Sequence, residues 1–282
     1  ILLTREEEFY VHRGRHPMRM HVKAGASADG KLVALDARTD IDGGAYSSFG
    51  LVTTYYSGQL LTIPTVPQSY RFSSTRYFTN KPPCGPKRGH GSVQPRFAFE
   101  LTLDKIAEKL AIDPIELRRR NAAEPNSTTI NGMRVTSNGN MECLARVEEA
   151  SGWKDRRGKL GRGRGLGVAS SAYISGTNYP IYPNDMPQSA VQLKVDRSGV
   201  VTVFNGASEI GQGTDTLLAT IVADELGLDL GCVRVVSADS DLCPVDLGAY
   251  SSRGTFMNGN ACLAAVKQVK EKLLAAVAEQ FE

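Results

Sequence analysis

The chain has 282 residues, of which 41% are hydrophobic and 22% charged, enough to build one large domain or two smaller ones. Its 33 basic and 30 acidic residues leave a formal net charge of +3, and this weak, dispersed balance argues against a nucleic-acid partner. The sequence contains neither an apolar run of the roughly 18 residues that a membrane span requires nor a basic-then-apolar leader. We therefore expect a globular protein with no nucleic-acid and no membrane partner.

The cysteine and histidine patterns do not indicate a protein-bound metal. No two cysteines form a C-x-x-C pair, and their odd number favours reduced thiols and a cytoplasmic location. His12 and His16 have a spacing that suits a metal only on a helix, which Gly14 and Pro17 disfavour. The five cysteines are Cys84, Cys143, Cys232, Cys243 and Cys262.

The chain opens with ILLTREEEFY, without a methionine, and we interpret this stretch as a strand already under way in a piece of a longer protein. Met18 and Met20 alternate with polar residues before the turn Asp29-Gly30, which predicts a β-hairpin. A second hairpin is predicted over residues 191–204, around the turn DRSG. Both hairpins lead into glycine-rich loops, so the chain is expected to contain a duplicated unit.

Two helices are predicted between the hairpins. Apolar residues recur at helical spacing over residues 97–110, from Phe97 to Leu110. In IDPIELRRRN, Asp113 is predicted to be the N-cap, with Pro114 as the first helical residue and Glu116 completing a capping-box-like pair. The two helices should meet at a sharp corner.

The boundary between the halves is placed in the polar, glycine-rich stretch from residue 125 to 165. Trp153, within it, is expected to be a packing residue. Hairpins, helices and long loops without regular strand-helix alternation favour an α+β fold over a doubly wound parallel sheet. The predicted domains are residues 1–150 and 151–282, each a hairpin-plus-helix unit.

Two loops of the second half have the composition of ligand-binding loops. EIGQGTDT follows a predicted strand and precedes an apolar run, so its backbone N–H groups are expected to face a phosphate or a polar cofactor. Gly211 and Gly213 permit close approach, and Gln212 offers an amide that donates and accepts hydrogen bonds. An ordinary glycine turn capped by Thr214 or Asp215 explains the same pattern. In LGAYSSRGTFMNGN, hydroxyls and a guanidinium precede a helix, as in a phosphate site or a loop with capping serines.

Three motifs in this order carry a resemblance to a known family. RGHGSVQ at 88–94 matches the pattern R-G-F-G-x-P-Q, with His90 in place of the usual phenylalanine. EIGQG at 209–213 matches M-G-Q-G, and GAYSSR at 248–253 matches a serine-rich loop that holds dinucleotide phosphates. Over essentially all its residues the chain resembles the large, molybdenum-cofactor-binding subunit of the xanthine dehydrogenase family, also called the molybdenum hydroxylases.

Within that family the wording looks most like the α subunit of 4-hydroxybenzoyl-CoA reductase, although Pro86-Lys87 stands where an Ala-Met-like pair is expected. This resemblance implies a molybdenum oxidoreductase that removes a ring hydroxyl reductively from 4-hydroxybenzoyl-CoA or a related aromatic. One alternative is a hydroxylase or dehydrogenase of an aldehyde, a purine or another N-heterocycle. Two others are a non-catalytic nucleotide- or CoA-binding module and a folded but inactive remnant.

The resemblance also implies a site. The 88–91 loop would lie against the molybdenum and supply backbone N–H groups to its ligands, while the pterin dithiolene holds the metal without a protein ligand. Gln212 would bond the oxo group or the pterin. Arg88 and Gln212 are the implied catalytic residues, with Cys84 and His90 as substrate-side candidates. The implied cofactor-binding residues are Arg88, Gly89, His90, Gly91, Gly211, Gln212, Gly213, Ala249, Tyr250, Ser251, Ser252 and Arg253.

The implied cofactor is a molybdenum–molybdopterin dinucleotide, of the cytosine form, and the implied substrate is a small aromatic or a CoA thioester. [2Fe-2S] and FAD centres are expected on partner subunits, because this sequence has no cysteine run for a cluster. A G-x-G-E motif with the family's catalytic glutamate and a G-G-G-F-G-G loop are both missing, so we expect an internal fragment that is inactive without the remainder of the large subunit. Arg88, Gln212 and Ser252 are expected to meet around one cleft.

Overall fold

The computed structural model describes residues 3–176 and 188–281. The chain divides into two compact units, Ile1–Tyr173 and Ile174–Glu282. Both units mix helices with strands, which confirms the predicted α+β class. None of the helices in the described ranges has the length and apolar character needed to cross a membrane.

The two compact units divide after Tyr173, whereas the sequence predicts domains of residues 1–150 and 151–282, and those domain bounds stay a prediction. Trp153 is 4% exposed and packs with Ile115 and Leu144 in one apolar cluster of the first unit. Its indole Nε1 donates a hydrogen bond of 2.8 Å to Asp113 Oδ2. Trp153 is thus a packing residue, as expected, and it keeps the segment after residue 150 with the first unit.

The first unit is built on a three-stranded sheet. Strands β1 (Met18–Ala26) and β2 (Leu32–Asp42) form the predicted antiparallel hairpin, and β3 (Ser69–Tyr77) pairs parallel to β2. A parallel pair needs a crossover, which here contains helix α2 (Gly50–Gln59) and a 3-10 turn (Leu60–Thr62). The other elements of this unit are α1 (Arg5–Val11), α3 (Val93–Leu110), α4 (Pro114–Arg120), β4 (Ser127–Thr128), β5 (Arg134–Val135), α5 (Asn140–Ser151) and α6 (Trp153–Arg156).

The core of the first unit lies between this sheet and α3. Phe99, Leu103 and Ala107 on α3 are completely buried against residues of β2. The apolar period predicted this helix, but Phe97 and Leu101 are 63% and 45% exposed. Periodicity shows that a helix has an apolar face, whereas the sheet decides which apolar residues are covered.

Two local predictions at helix starts are corrected. The opening segment is helix α1 and not a strand, because Thr4 and Glu7 form a capping box: Glu7 N donates to Thr4 Oγ1 at 3.3 Å and Thr4 N donates to Glu7 Oε2 at 2.7 Å. Asp113 caps α4 as predicted, accepting a backbone N–H at 2.8 Å. Glu116 does not complete a capping box there, since its carboxylate accepts from Arg120 Nε at 2.9 Å.

The second unit repeats the strand order of the first. Strands β6 (Val191–Val195) and β7 (Val201–Asn205) form the second predicted hairpin, and β8 (Val233–Ser237) pairs parallel to β7. The crossover contains α7 (Thr214–Leu226), and a π-helical turn (Gly254–Asn258) leads into α8 (Gly259–Phe281). A 3-10 turn (Leu230–Cys232) precedes β8. The buried residues of its core are Val201, Val203, Leu218, Val222, Cys262 and Val266.

Candidate functional site

In the first unit the loop at residues 84–91, which contains the RGHG motif, is hydrogen-bonded to an N-terminal segment. Gly14 and Cys84 form an isolated parallel bridge, and Gly85 N donates to Gly14 O at 2.9 Å. The Arg15 guanidinium donates to the carbonyl oxygen of Arg88 at 2.7 Å. The segment HRGRH at 12–16 therefore forms one side of this loop.

The glycines of the loop are required by packing within the unit. Gly89 and Gly91 have φ of +73° and +79°, a backbone conformation that L side chains rarely adopt. A Cβ at Gly91 would lie 2.9 Å from the carbonyl oxygen of Thr53 on α2, and one at Gly89 would lie 2.6 Å from the Val93 side chain. Both positions are closed to larger residues even without a ligand.

His90, one of the substrate-side candidates, is packed inside the unit. It is 7% exposed, and its Nε2 lies 2.8 Å from Thr53 Oγ1 and 3.3 Å from the carbonyl oxygen of Phe49. His16 is 2% exposed, and its Nδ1 lies 3.5 Å from the same hydroxyl. Burial lowers the pKa of both imidazoles; that of His16 falls to about 4, with the nearby His90 and Arg76 charges contributing. Both rings are therefore neutral at physiological pH.

The buried histidines should make the fold sensitive to mild acid. The pKa of His16 is lower in the folded state than in the unfolded chain, so its contribution to stability is complete above pH 6.5 and is lost as the pH falls towards 4. We expect the free energy of unfolding in urea to be about 2 kcal/mol lower at about pH 5 than at about pH 7.5 from His16 alone. His16→Asn should remove most of this difference. An equal pH dependence in the variant would show that other groups cause it.

Cys84, the other substrate-side candidate, is also buried, with 8% of its surface exposed. Burial raises the pKa of its thiol, and the neighbouring Asp42 carboxylate raises it further. A thiol that resists ionisation is a poor nucleophile, so the surroundings of Cys84 favour a packing role. His12 and His16 do not form a metal pair either, because Lys87 Nζ donates to His12 Nε2 while His16 faces Thr53.

The loop before α7 is organised by a carboxylate. Glu209 Oε1 accepts the backbone N–H groups of Gly211 at 2.7 Å and of Gly213 at 3.1 Å, and its Oε2 accepts that of Asp215 at 3.2 Å. These bonds, that of Gly213 first, lower the pKa of Glu209. The N–H groups predicted to face an anion thus face Glu209. The alternative that Thr214 or Asp215 caps this helix is wrong, because its N-cap residue is Gly213 and the carboxylate that accepts first-turn N–H groups belongs to Glu209.

Gln212 is folded back onto its own loop. Its Oε1 accepts the N–H of Ile210 at 2.6 Å, and its Nε2 donates to Thr214 Oγ1 at 2.8 Å and to the Ser208 carbonyl at 2.9 Å. Thr214 Oγ1 also lies 3.4 Å from the Cβ position of Gly254. The structure therefore brings this loop next to the one that ends at Gly254, and both lead into helices.

Arg253, expected to bind phosphate, is instead bonded to groups of its own unit. Its side chain is completely buried, as is that of Asp246, and Arg253 Nη1 lies 3.0 Å from Asp246 Oδ1. The guanidinium also donates to the Gly248 carbonyl at 2.8 Å, to Ser189 Oγ at 2.7 Å and to the Gln188 carbonyl. These contacts leave the guanidinium without an exposed face for a ligand. Its observed role is to hold the loop together.

The hydroxyls ahead of Arg253 are differently placed. Ser251 and Ser252 both have left-handed backbones, with φ of +49° and +50°. Ser251 is half-buried and Ser252 exposed. Within residues 3–176 and 188–281 neither Oγ takes part in a hydrogen bond, although the Ser252 carbonyl accepts from Ser175 Oγ at 3.4 Å. Ala249 is exposed, and Tyr250 lies beneath the Arg253 guanidinium at 5.2 Å. The expected approach of Arg88 to these two loops stays a prediction.

Two family models, each described as a molybdopterin cofactor-binding domain, match residues 1–122 and 146–282 of the chain. The chain is also 34% identical over 282 residues to the xanthine dehydrogenase molybdenum-binding subunit of Escherichia coli O157:H7, a match that covers 98% of this chain and 37% of that protein. The chain belongs to the xanthine dehydrogenase family of molybdenum hydroxylases. The family predicted from the three motifs is thereby confirmed.

Solved structures of this family superpose on the chain. Quinoline 2-oxidoreductase from Pseudomonas putida 86 gives a TM-score of 0.81 at 25% identity and covers 96% of this chain and 36% of that one. Aldehyde oxidoreductase from Desulfovibrio gigas gives 0.78 at 26% identity and covers 90% and 28%. The chain thus spans between 28% and 37% of the length of these three relatives. Their names concern xanthine, quinoline and aldehydes, and they do not support the finer resemblance to 4-hydroxybenzoyl-CoA reductase.

The molybdenum-hydroxylase motifs were found from the sequence, but three residues that organise them were not. Glu209 stands directly before IGQG, and a carboxylate ahead of a glycine-rich helix start is the signal that could have identified it. His16 gives no local signal, because its partner Thr53 lies 37 residues away. Asp246 pairs with Arg253 across a turn that no motif in the sequence indicates. In the described part of the chain no group of three or more His, Cys, Asp or Glu side chains is placed to hold a metal.

Proposed function

We propose that this chain forms the molybdenum-cofactor-binding part of a hydroxylase or dehydrogenase that acts on an aldehyde, a purine or another N-heterocycle. Membership of the family and the substrates named by the three relatives support this proposal. Reduction of 4-hydroxybenzoyl-CoA is the weaker candidate, because none of those three names points to it. When bound, the molybdenum cofactor would supply two-electron redox chemistry that no side chain provides.

The observation that carries the proposal is the open glycine face of the second unit. A Cβ built at Gly211 or Gly213 meets nothing within 4 Å, although both residues have positive φ, of +89° and +85°. Nothing in the unit itself demands this open space, in contrast to Gly91, whose Cβ would contact α2. Gly199, in the β6–β7 turn, has the same two features. They support a cofactor site at Gly211 and Gly213 because these glycines belong to the matched IGQG motif, next to the loop that ends at Gly254.

We assign the loops of this chain to different parts of the cofactor according to their charge. Glu209 already neutralises the start of α7, so this loop suits the uncharged hydrogen-bonding edge of the pterin better than a phosphate. Gln212 can offer its amide to the pterin or to a metal oxo group by giving up its bonds to Ser208 and Ile210. Ser251 and Ser252 supply hydroxyls for the distal phosphates, and Arg253 positions them from beneath.

For the first unit we propose that Arg88 and the backbone of Gly89 to Gly91 contact the cofactor, with His90 supporting the loop through Thr53. The cytosine dinucleotide form is part of the proposal. So are partner subunits with iron–sulfur and flavin centres, in keeping with a relative that is named as one subunit of an enzyme.

Gly213→Val in the assembled enzyme is expected to reduce bound molybdenum by at least about tenfold. A β-branched residue at φ of +85° carries backbone strain of about 1–3 kcal/mol, and it places methyl groups where the cofactor should approach. The loss of two neutral hydrogen bonds, at about 1 kcal/mol each, is enough for this factor. Metal analysis of the purified enzyme, together with the amount of cytidine nucleotide released by hydrolysis, measures the effect.

Gly199→Val is the matched control. Gly199 has φ of +83° and an equally open Cβ position, but it lies in the β6–β7 turn, away from both loops. It should show similar strain and keep its molybdenum. Full molybdenum occupancy in Gly213→Val would mean that the open positions at Gly211 and Gly213 no longer support the proposed cofactor site. A wild-type assembly free of molybdenum would favour a non-catalytic nucleotide- or CoA-binding module.

A further inference from the structure

The first unit carries an exposed group of cations, of which only Arg88 is among the proposed cofactor contacts. The segments HRGRH at 12–16 and CGPKRGH at 84–90 are joined by the Gly14–Cys84 bridge. Neither segment contains an acidic residue. We call the four charged residues of these two segments the basic cluster; Arg13, Arg15 and Arg88 are exposed and Lys87 is half-buried.

No carboxylate neutralises the basic cluster. Within residues 3–176 and 188–281 none of its four side chains lies within 4.0 Å of an Asp or Glu oxygen, whereas other cations of the unit do form such pairs. Asp42, which faces Cys84, is paired with Lys81 at 2.5 Å. Four positive charges on two joined segments, without a paired carboxylate, create a positive potential that attracts anions.

The cluster is also held in position. Gly85 leaves the space for Arg13, because a Cβ there would lie 2.8 Å from Arg13 Cβ. Arg13 Nη1 donates to Ser48 Oγ at 3.0 Å, and Lys87 Nζ donates to His12 Nε2 at 2.6 Å. Arg15 is fixed by its bond to the Arg88 carbonyl. Side chains that are already ordered lose less conformational freedom when they bind a ligand.

We infer that the basic cluster is a binding site for an oxyanion of a small molecule, a phosphate or a carboxylate. Guanidinium groups match both through paired N–H donors. Within residues 3–176 and 188–281, Arg13 and Arg15 each use only one of their five N–H groups in a hydrogen bond, and the Arg88 guanidinium uses none. The inference implies that the substrate carries a negative charge near the Arg88 loop, and this part of it rests on the proposed function. As a statement about anion binding, it concerns this chain alone.

The test is calorimetric titration of the 282-residue chain with inorganic pyrophosphate and, separately, with benzoate. Arg13→Gln/Lys87→Gln should weaken binding of the preferred anion at least about tenfold, because it removes two charge-assisted contacts. The matched control is Lys105→Gln/Lys109→Gln, which removes the same charge from exposed lysines of α3. It should change binding less than about twofold, since screening weakens distant charges. Circular dichroism melting should show the same fold in all three proteins.

Preference for pyrophosphate would identify a phosphate as the ligand group, and comparable binding of benzoate would identify a carboxylate. Either result supports the site. The inference is overturned if the wild-type chain binds neither anion, or if the Lys105/Lys109 variant loses as much affinity as the Arg13/Lys87 variant. The titration uses no molybdenum, so a negative result leaves the molybdenum assay of Gly213→Val unaffected, and failure of that assay leaves the anion site standing.

Discussion

Arg118→Met is expected to lower the free energy of unfolding of the first unit by about 3–5 kcal/mol. The Arg118 side chain is completely buried; its Nε donates to Glu100 Oε2 at 2.8 Å and its Nη2 to Asp104 Oδ1 at 2.9 Å. The Glu100 side chain is only 7% exposed, and the variant would remove the main cation that pairs with its carboxylate. A buried charge that loses its main partner costs several times more than a lost surface bond, and urea unfolding curves would measure the difference.

Glu100 shows why the effect should spread beyond α3 and α4. The same carboxylate accepts the backbone N–H of Ser170 at 3.2 Å, and Arg96 lies 3.6 Å from its other oxygen. Arg146→Met is the control, because Arg146 pairs with Glu142 where the two side chains are 78% and 67% exposed. It should cost less than about 1 kcal/mol. Equal losses in the two variants would contradict the account of a buried charge network.

The elements that the sequence predicted well are those specified by near neighbours. The two hairpins follow from strict alternation and from turns at Asp29-Gly30 and DRSG. Asp113 caps α4 with backbone groups two and three residues away. The same logic should have identified α1, whose Thr4 and Glu7 satisfy the capping-box pattern, but the methionine-free opening was interpreted as a strand.

The features that could not be predicted depend on contacts that no short sequence pattern specifies. Phe97 has the same apolar character as Phe99, yet only Phe99 faces the sheet. The serine-rich motif predicts that Arg253 binds phosphate, but Asp246, seven residues earlier, pairs with its buried guanidinium. The parallel pairing of β3 with β2 likewise follows from a crossover that no short motif announces.

Asp246→Ala is expected to have an effect of similar size in the second unit, about 3–5 kcal/mol. Both side chains of the Asp246–Arg253 pair are completely buried, and Asp246 also accepts the Gly248 N–H and the Ser189 hydroxyl, each at 2.7 Å. Alanine would leave the Arg253 guanidinium among carbonyl oxygens with no counter-charge. Urea unfolding would report the stability loss.

The variant should also loosen the serine loop selectively. Ser251 and Ser252 hold left-handed backbones that cost about 1–3 kcal/mol each, and such conformations persist only while surrounding contacts impose them. Once Asp246 is removed, the amide hydrogens of residues 248–253 should exchange faster than in the wild-type protein, and this increase should exceed any change in β7. The control is Asp239→Ala, because Asp239 accepts the backbone N–H of Asp241 in an exposed turn. This replacement should lower the free energy of unfolding by less than about 1 kcal/mol.

A double variant separates a missing partner from a merely rearranged loop. Asp246→Leu/Arg253→Met removes both charges together, so no uncompensated ion remains buried, and it should be more stable than Asp246→Ala although it lacks more hydrogen bonds. If the double variant is instead less stable by the full sum of the single losses, the two residues act independently. In that case the serine loop is shaped by the bonds of Asp246 to Gly248 and Ser189, and the charge of Arg253 plays no part in it.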